Sequence, residues 1–131
     1  MNISVAGIAV QDGKLFVARR RAGGAMGEKW EFPGGKLENG ESCEQALARE
    51  FMEEFGVGVS VGEQLAESEF ENNGQTRRLK AFRINFLSSD FKLCEHTDWR
   101  WASYGEIEAM DFIPSDLKLL DGIKRRLGAV D

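Results

Sequence analysis

The apolar positions of this chain fall into short alternating runs, interrupted by two stretches of helical period. Ile3–Val10 is rich in β-branched residues, and Leu15–Arg19 follows it after Gln11-Asp12-Gly13-Lys14, a turn signal. This pattern predicts a hairpin. Arg19–Lys29 carries three arginines, three glycines and a methionine and reads as a loop. Trp30-Glu31-Phe32-Pro33 is expected to be extended, because the residue before a proline avoids the helical region. Gly34-Gly35 is expected to break the chain direction.

The clearest helix is Ser42–Phe55, with Ser42 and Gln45 spaced as a capping box and Gly56 where a C-terminal glycine cap belongs. Val57–Val61 reads as a strand. Glu67–Glu71 and Thr76–Leu87 read as two more, with Asn72-Asn73-Gly74 turning between them. Asp98–Ser103 is a short strand with Trp99 and Trp101 on one face. Ser115–Leu127 is a second helix in which Leu117, Leu120, Ile123 and Leu127 recur at helical spacing. Lys124-Arg125-Arg126 occupy its last turn and Gly128 follows. Strands and helices so mixed predict an α/β or α+β arrangement, a mixed sheet between helices, as one domain over residues 1–131.

Chemistry enters on the first helix. At about 100° per residue, Glu50, Glu53 and Glu54 share one arc, beside an apolar arc of Leu47, Phe51 and Phe55. Glu50 and Glu54 repel as like charges at i,i+4, and the helix C-terminus disfavours negative charge. Arg49 relieves part of that, and a bound divalent cation would offset the rest. Carboxylate oxygens suit Mg²⁺ or Mn²⁺. Gly34-Gly35 allow backbone carbonyls to approach a metal or phosphate, and Glu38 and Glu41 add carboxylates to the connecting loop.

Composition narrows the ligand. With a net charge of −5, the chain lacks the basic surface of a nucleic-acid binder, while a small phosphorylated ligand bridged by metal remains open. No stable nucleic-acid complex is expected. Cys43 and Cys94 are too few for a disulfide framework or thiolate zinc site and are read as reduced, packed thiols. No apolar stretch approaches the ~20 residues of a bilayer span, and Met1–Val10 reads as a strand, not a signal peptide. A cytoplasmic location follows as the expectation, with a monomer or homodimer.

From Gly35 to Val57, the residues Gly35, Glu41, Arg49, Glu50, Phe51, Glu53, Glu54, Gly56 and Val57 fall on G-x5-E-x7-R-E-U-x-E-E-x-G-U, with U apolar. This resembles a complete Nudix box. Trp30–Lys36 before it and Pro114-Ser115-Asp116 after it are similar to the MutT-like branch of the Nudix hydrolase family. The resemblance implies an α/β/α sandwich with a mixed sheet, and attack by water on a nucleotide phosphorus. It also implies Mg²⁺ (or Mn²⁺) held by Glu50, Glu53, Glu54 and the Gly34 carbonyl. By position, Arg49 orients Glu50, and Glu41 is a supporting carboxylate beside Gly35. Glu53 and the loop residue Glu95 are the candidate bases, whereas His96, the single histidine, reads as a surface or structural residue.

For the nucleotide itself, Arg20 matches an arginine that contacts substrate phosphate in MutT-like enzymes. Arg77 is a weaker phosphate or base contact, and Phe32 a candidate for stacking on a base. Asp116 stands where asparagine is usual in oxidised-guanine members. As an ionised acceptor it suits the N1–H and N2–H₂ edge of guanine or the N4 amine of cytosine. The expected substrate is therefore a small-molecule nucleotide such as 8-oxo-dGTP, CTP or 5-methyl-dCTP. A nucleoside diphosphate derivative such as ADP-ribose is the alternative, and a non-catalytic sensor the competing class.

Overall fold

The computed structural model describes residues 2–128. The first hairpin forms as the pattern predicts. β1 (Asn2–Gln11) turns through Asp12 (φ 52°) and Gly13 (φ 74°) into β2 (Lys14–Arg20), with Val10 opposite Leu15. Two successive left-handed residues match the right-handed strand twist. β1 is the central strand of a mixed layer, pairing in parallel with β6 (Gln75–Phe86) and antiparallel with β4 (Gly34–Lys36). β6 pairs antiparallel with β5 (Val59–Asn72) through a turn whose Asn73 and Gly74 both have positive φ. β2 carries β3 (Trp30–Glu31) on one side and β7 (His96–Ala102) on the other.

Alternation along β1 and β2 supplies two cores. Val5, Ala9, Phe16 and Ala18 face α1 (Cys43–Phe55), where they meet Leu47, Phe51 and Phe55. Ala6, Ile8, Leu15 and Val17 face the opposite layer, α2 (Tyr104–Ala109) and α4 (Leu120–Leu127), through Ile107, Leu120 and Ile123. The architecture is the expected α/β/α sandwich. Trp99 and Trp101 lie on the α1 side, with Trp99 stacked on Phe16 at 5.6 Å. Among the described residues no helix is long and apolar enough to cross a membrane.

Four expectations need correction. Gly34-Gly35 does not break the chain; it is strand β4, and the lack of side chains serves close approach. A Cβ on Gly34 would stand 1.9 Å from the Val5 carbonyl oxygen. Val57–Val61 and Glu67–Glu71 belong to one long strand, β5, which absorbs the polar Gly62-Glu63 stretch as register shifts between Val61 and Ala66. The Ser115–Leu127 helix is two pieces, α3 (Pro114–Leu117) and α4. At the break Leu119 N–H reaches back three residues to the Asp116 carbonyl (3.0 Å), so Leu119 turns inward and Leu117 stays exposed. Cys94 is exposed, leaving only Cys43 packed against the core. Helix α2 escaped the sequence reading; its Ser103/Glu106 capping box was the available signal.

The packing of α1 on β1 hinges on Gly7, where a Cβ would come within 2.6 Å of Cε2 of the fully buried Phe51. Gly7→Ala is therefore expected to lower the unfolding free energy by about 1–3 kcal/mol through overpacking, measured by denaturant titration. In a Phe51→Leu background the same change should cost less. Equal costs in the two backgrounds would show that the strand does not press on this ring.

Candidate active site

The site is built where α1, β3, β4 and the start of β7 meet. Ser42 caps α1 by accepting from Gln45 N–H (3.1 Å), and Gly56 closes it in the left-handed conformation, its N–H donating to the Met52 carbonyl. Phe51 and Phe55 anchor the inner face, so the glutamates emerge at the edge nearest β4. Gly35 makes that proximity possible, since a Cβ there would lie 2.5 Å from Cδ of Glu50.

Arg49 organises the acidic rim. Its guanidinium donates to both oxygens of Glu41 (2.7 and 3.0 Å), to Glu50 Oε1 (2.8 Å), to Glu53 Oε2 (3.3 Å) and to the Lys36 carbonyl (3.1 Å). One planar fork thus fixes three carboxylates and the end of β4. The Arg49 hydrogen bonds, aided by the Glu38 N–H, hold the Glu41 carboxyl down at about 2. The same partners, Glu41 foremost, raise Arg49 well above its ordinary value.

Glu54 has no such partner. It is buried, and its Oε1 has no hydrogen-bond partner among the described residues. Burial pushes its carboxyl far upward, reinforced by a hydrogen bond shared with Glu50 and by the charges of Glu31, Glu50 and Glu95. His96 is buried too, its ring stacked on Phe55 (5.0 Å, 12°), with Nε2 2.7 Å from Glu31 Oε2 and 3.8 Å from Glu54 Oε1. Glu31, Glu54 and His96 bring potential ligand atoms within 4.8 Å of one another. Glu54 Oε1, orphaned among hard oxygen donors, fits a divalent cation better than it fits an apoprotein.

Two clefts adjoin here. The first, about 450 Å³, is lined by Glu50, Glu53, Glu54, Glu95, Glu31, His96, Gly34 and the Arg20–Gly23 segment. The second, about 340 Å³, is lined by Phe32, Phe70, Leu79, Ile113, Arg77 and Asp116, among others. Arg20, Glu31 and Gly34 line both. Arg20 Nη1 pairs with Glu31 Oε1 at 3.3 Å. Arg77 is buried, bonded through Nε and Nη2 to Ser4 Oγ and through Nη2 to the Ile3 carbonyl. It has no carboxylate partner among the described residues.

The structure therefore gathers Gly34, Glu50, Glu53, Glu54, Glu95 and Arg20 around one cleft, and Arg77, Phe32 and Asp116 around its neighbour. Glu41 lines neither cleft and bears on the site through Arg49, while Gly35 lines the second cleft and makes room for Glu50. Phe32 is only 2% exposed, its ring edge-on to Phe112 at 5.1 Å. It belongs to the core that walls the second cleft. His96, expected at the surface or in a structural role, is wholly interior. Glu31 was missed outright; an acidic residue between Trp30 and Phe32 in an extended segment was the signal.

Comparison with known proteins agrees with this geometry. The NUDIX domain family model matches residues 1–122, and the chain belongs to that family. It is 37% identical over 117 residues to the CTP pyrophosphohydrolase of Escherichia coli K12, covering 89% of this chain and 87% of that protein. It is 30% identical over 125 residues to the 8-oxo-dGTP diphosphatase of the same strain, covering 95% and 97%. Among solved structures, that of the E. coli ORF135 protein superposes with a TM-score of 0.86 at 35% identity, covering 100% of this chain and 95% of that one. Nudix hydrolases generally use divalent metals, in keeping with the donor set found here.

Asp116 supplies a prediction. Burial, and then the charge of Glu31, raises its carboxyl from 3.8 to about 8, opposed by the Phe32 N–H that donates to Oδ2 at 2.9 Å. Between those values the folded chain holds the proton that the unfolded chain has released, so stability falls as pH rises through this window. Asp116→Asn should remove that share of the slope, at most about 1.4 kcal/mol per pH unit. The check is chemical denaturation from pH 5 to 9 in chelator. Glu54 adds a slope of the same sign in both proteins, so the difference between the curves is the readout; parallel curves would contradict the assignment.

Proposed function

We propose that this chain is a Mg²⁺-dependent nucleoside triphosphate pyrophosphohydrolase, adding water to a triphosphate and releasing the monophosphate, pyrophosphate and a proton. The observation that carries the reading is the shared wall. A carboxylate-lined cleft suited to metal and phosphates opens beside a partly apolar cleft of nucleobase size, and Arg20, Glu31 and Gly34 face both.

In this reading Glu50, Glu53, Glu54 and the Gly34 carbonyl hold the cation, with Glu95 at the rim. The ion supplies phosphate charge neutralisation and a more acidic water. Arg49 fixes Glu50 and Glu53 in place and frees neither to wander. Glu53 or Glu95 accepts the proton of the attacking water. Arg20, which lines both clefts, contacts the phosphate chain. In the neighbouring cleft Asp116, with one oxygen committed to Phe32 N–H, offers the other to a base edge. Arg77 supplies the complementary donor through its remaining nitrogen, Nη1. An oxidised or otherwise non-standard guanine nucleotide and a cytidine nucleotide both present such an edge; the relatives' names span the same two choices.

Product analysis with Mg²⁺ on 8-oxo-dGTP, dGTP, CTP, 5-methyl-dCTP and ADP-ribose tests the reading. One triphosphate should give monophosphate plus pyrophosphate. Glu95→Gln should separate the bases, because Glu53 also serves the cation: a loss of about 10²–10⁴-fold in kcat makes Glu95 the base, and a kcat near wild type leaves the role to Glu53. Cleavage of ADP-ribose alone would replace the substrate class, and tight binding without turnover would make the chain a sensor.

A further inference from the structure

We propose that His96 is a positioning residue: its Nε2–H holds Glu31, and through Glu31 sets the place of Arg20 between the two clefts. The inference rests on the reading of Arg20 as a phosphate contact. The chain of contacts is continuous. Phe55, at the end of α1, stacks on the imidazole; Nε2 lies 2.7 Å from Glu31 Oε2, and the other oxygen of Glu31 lies 3.3 Å from Arg20 Nη1. A bulge places the histidine. Arg19 pairs with Asp98 but Arg20 pairs with His96, so Thr97 is the extra residue and the ring turns inward beside Arg20.

Geometry also decides between a hydrogen-bond donor and a metal ligand. Nε2 sits between two carboxylate oxygens, Glu31 Oε2 and Glu54 Oε1, whereas Nδ1 is buried with no partner. A histidine that coordinates through Nε2 carries its proton on Nδ1 and normally donates it to a nearby acceptor. Among the described residues none is present. The proton therefore belongs on Nε2, where it has Glu31 to receive it, and the bare Nδ1 is the less costly orphan. Donation to one Glu31 oxygen leaves the other for Arg20, so the arginine is held ready without a substrate.

His96 is the only histidine in the chain, so its ring nitrogens can be observed without ambiguity. In ¹⁵N-histidine spectra the free protein should show the proton on Nε2, unchanged on addition of Mg²⁺. A shift of the proton to Nδ1 with Mg²⁺ would make His96 a ligand and overturn the proposal. His96→Phe keeps the stack on Phe55 and loses the donor; His96→Gln restores a donor. On the triphosphate that turns over, His96→Phe should raise KM about tenfold, a loss near that of one charged hydrogen bond, with kcat little changed. His96→Gln should recover most of it, and His96→Phe should add nothing to Arg20→Ala. An additive effect, or a fall in kcat with KM unchanged, would contradict the relay. If no triphosphate turns over, the proposed function fails while the nitrogen spectra still test the His96–Glu31 bond.

Discussion

The structure is organised around carboxylates held closer together than their charges favour. Removal from water, and then the neighbouring Glu50, Glu31 and Glu95, raise the cost of ionising Glu54. Arg49 offsets part of the repulsion at Glu50, and Arg20 and His96 part of it at Glu31. The arrangement persists because α1 is pinned from behind by Phe51 and Phe55 and along its rim by Arg49, while Gly7 and Gly35 let the helix sit against β1 and β4. Strain of this kind survives only where the surrounding packing over-determines it, and it marks functional sites for that reason.

A second constraint is the short strand β3. Its Trp30 backbone bonds both the Asp111 carbonyl and the Ile113 N–H (2.9 Å each), tying the segment before α3 to the sheet. The next residue, Glu31, sends its carboxylate toward the metal-suited cleft, and Phe32 gives its N–H to Asp116 on the other side. Successive residues of an extended chain face opposite ways. Two neighbouring positions therefore join the two clefts, and Arg20 closes the span between them.

Much of this was legible in the residues because it rests on local rules. The Asp12-Gly13 and Asn73-Gly74 turns, the capping box of α1 and its glycine cap depend on two to five neighbouring residues, and each appears where the pattern put it. The box glutamates were legible because helical periodicity alone sets them on one arc. What escaped depends on contacts across the chain. Gly34-Gly35 looks like a chain breaker until β1 is seen to press against it; β5 looks like two strands because its register shifts answer to β6. The inward turn of His96 follows from a bulge against β2, and the role of Glu31 from a histidine 65 residues away. The packing of Phe32 was not legible either, because Phe112, its partner, lies far along the sequence.

The most direct test concerns Glu54, whose buried Oε1, without a partner among the described residues, suits a cation. The measurement is the melting temperature of wild type and Glu54→Gln, each with Mg²⁺ and with chelator. Wild type should be stabilised by Mg²⁺, as any ligand of the folded state stabilises it. The variant should be insensitive to Mg²⁺, yet in chelator at least as stable as wild type, because a glutamine amide escapes the cost of burying and protonating a carboxylate. A wild type indifferent to Mg²⁺, with a variant destabilised in chelator, would make Glu54 a structural residue and remove the basis of the account.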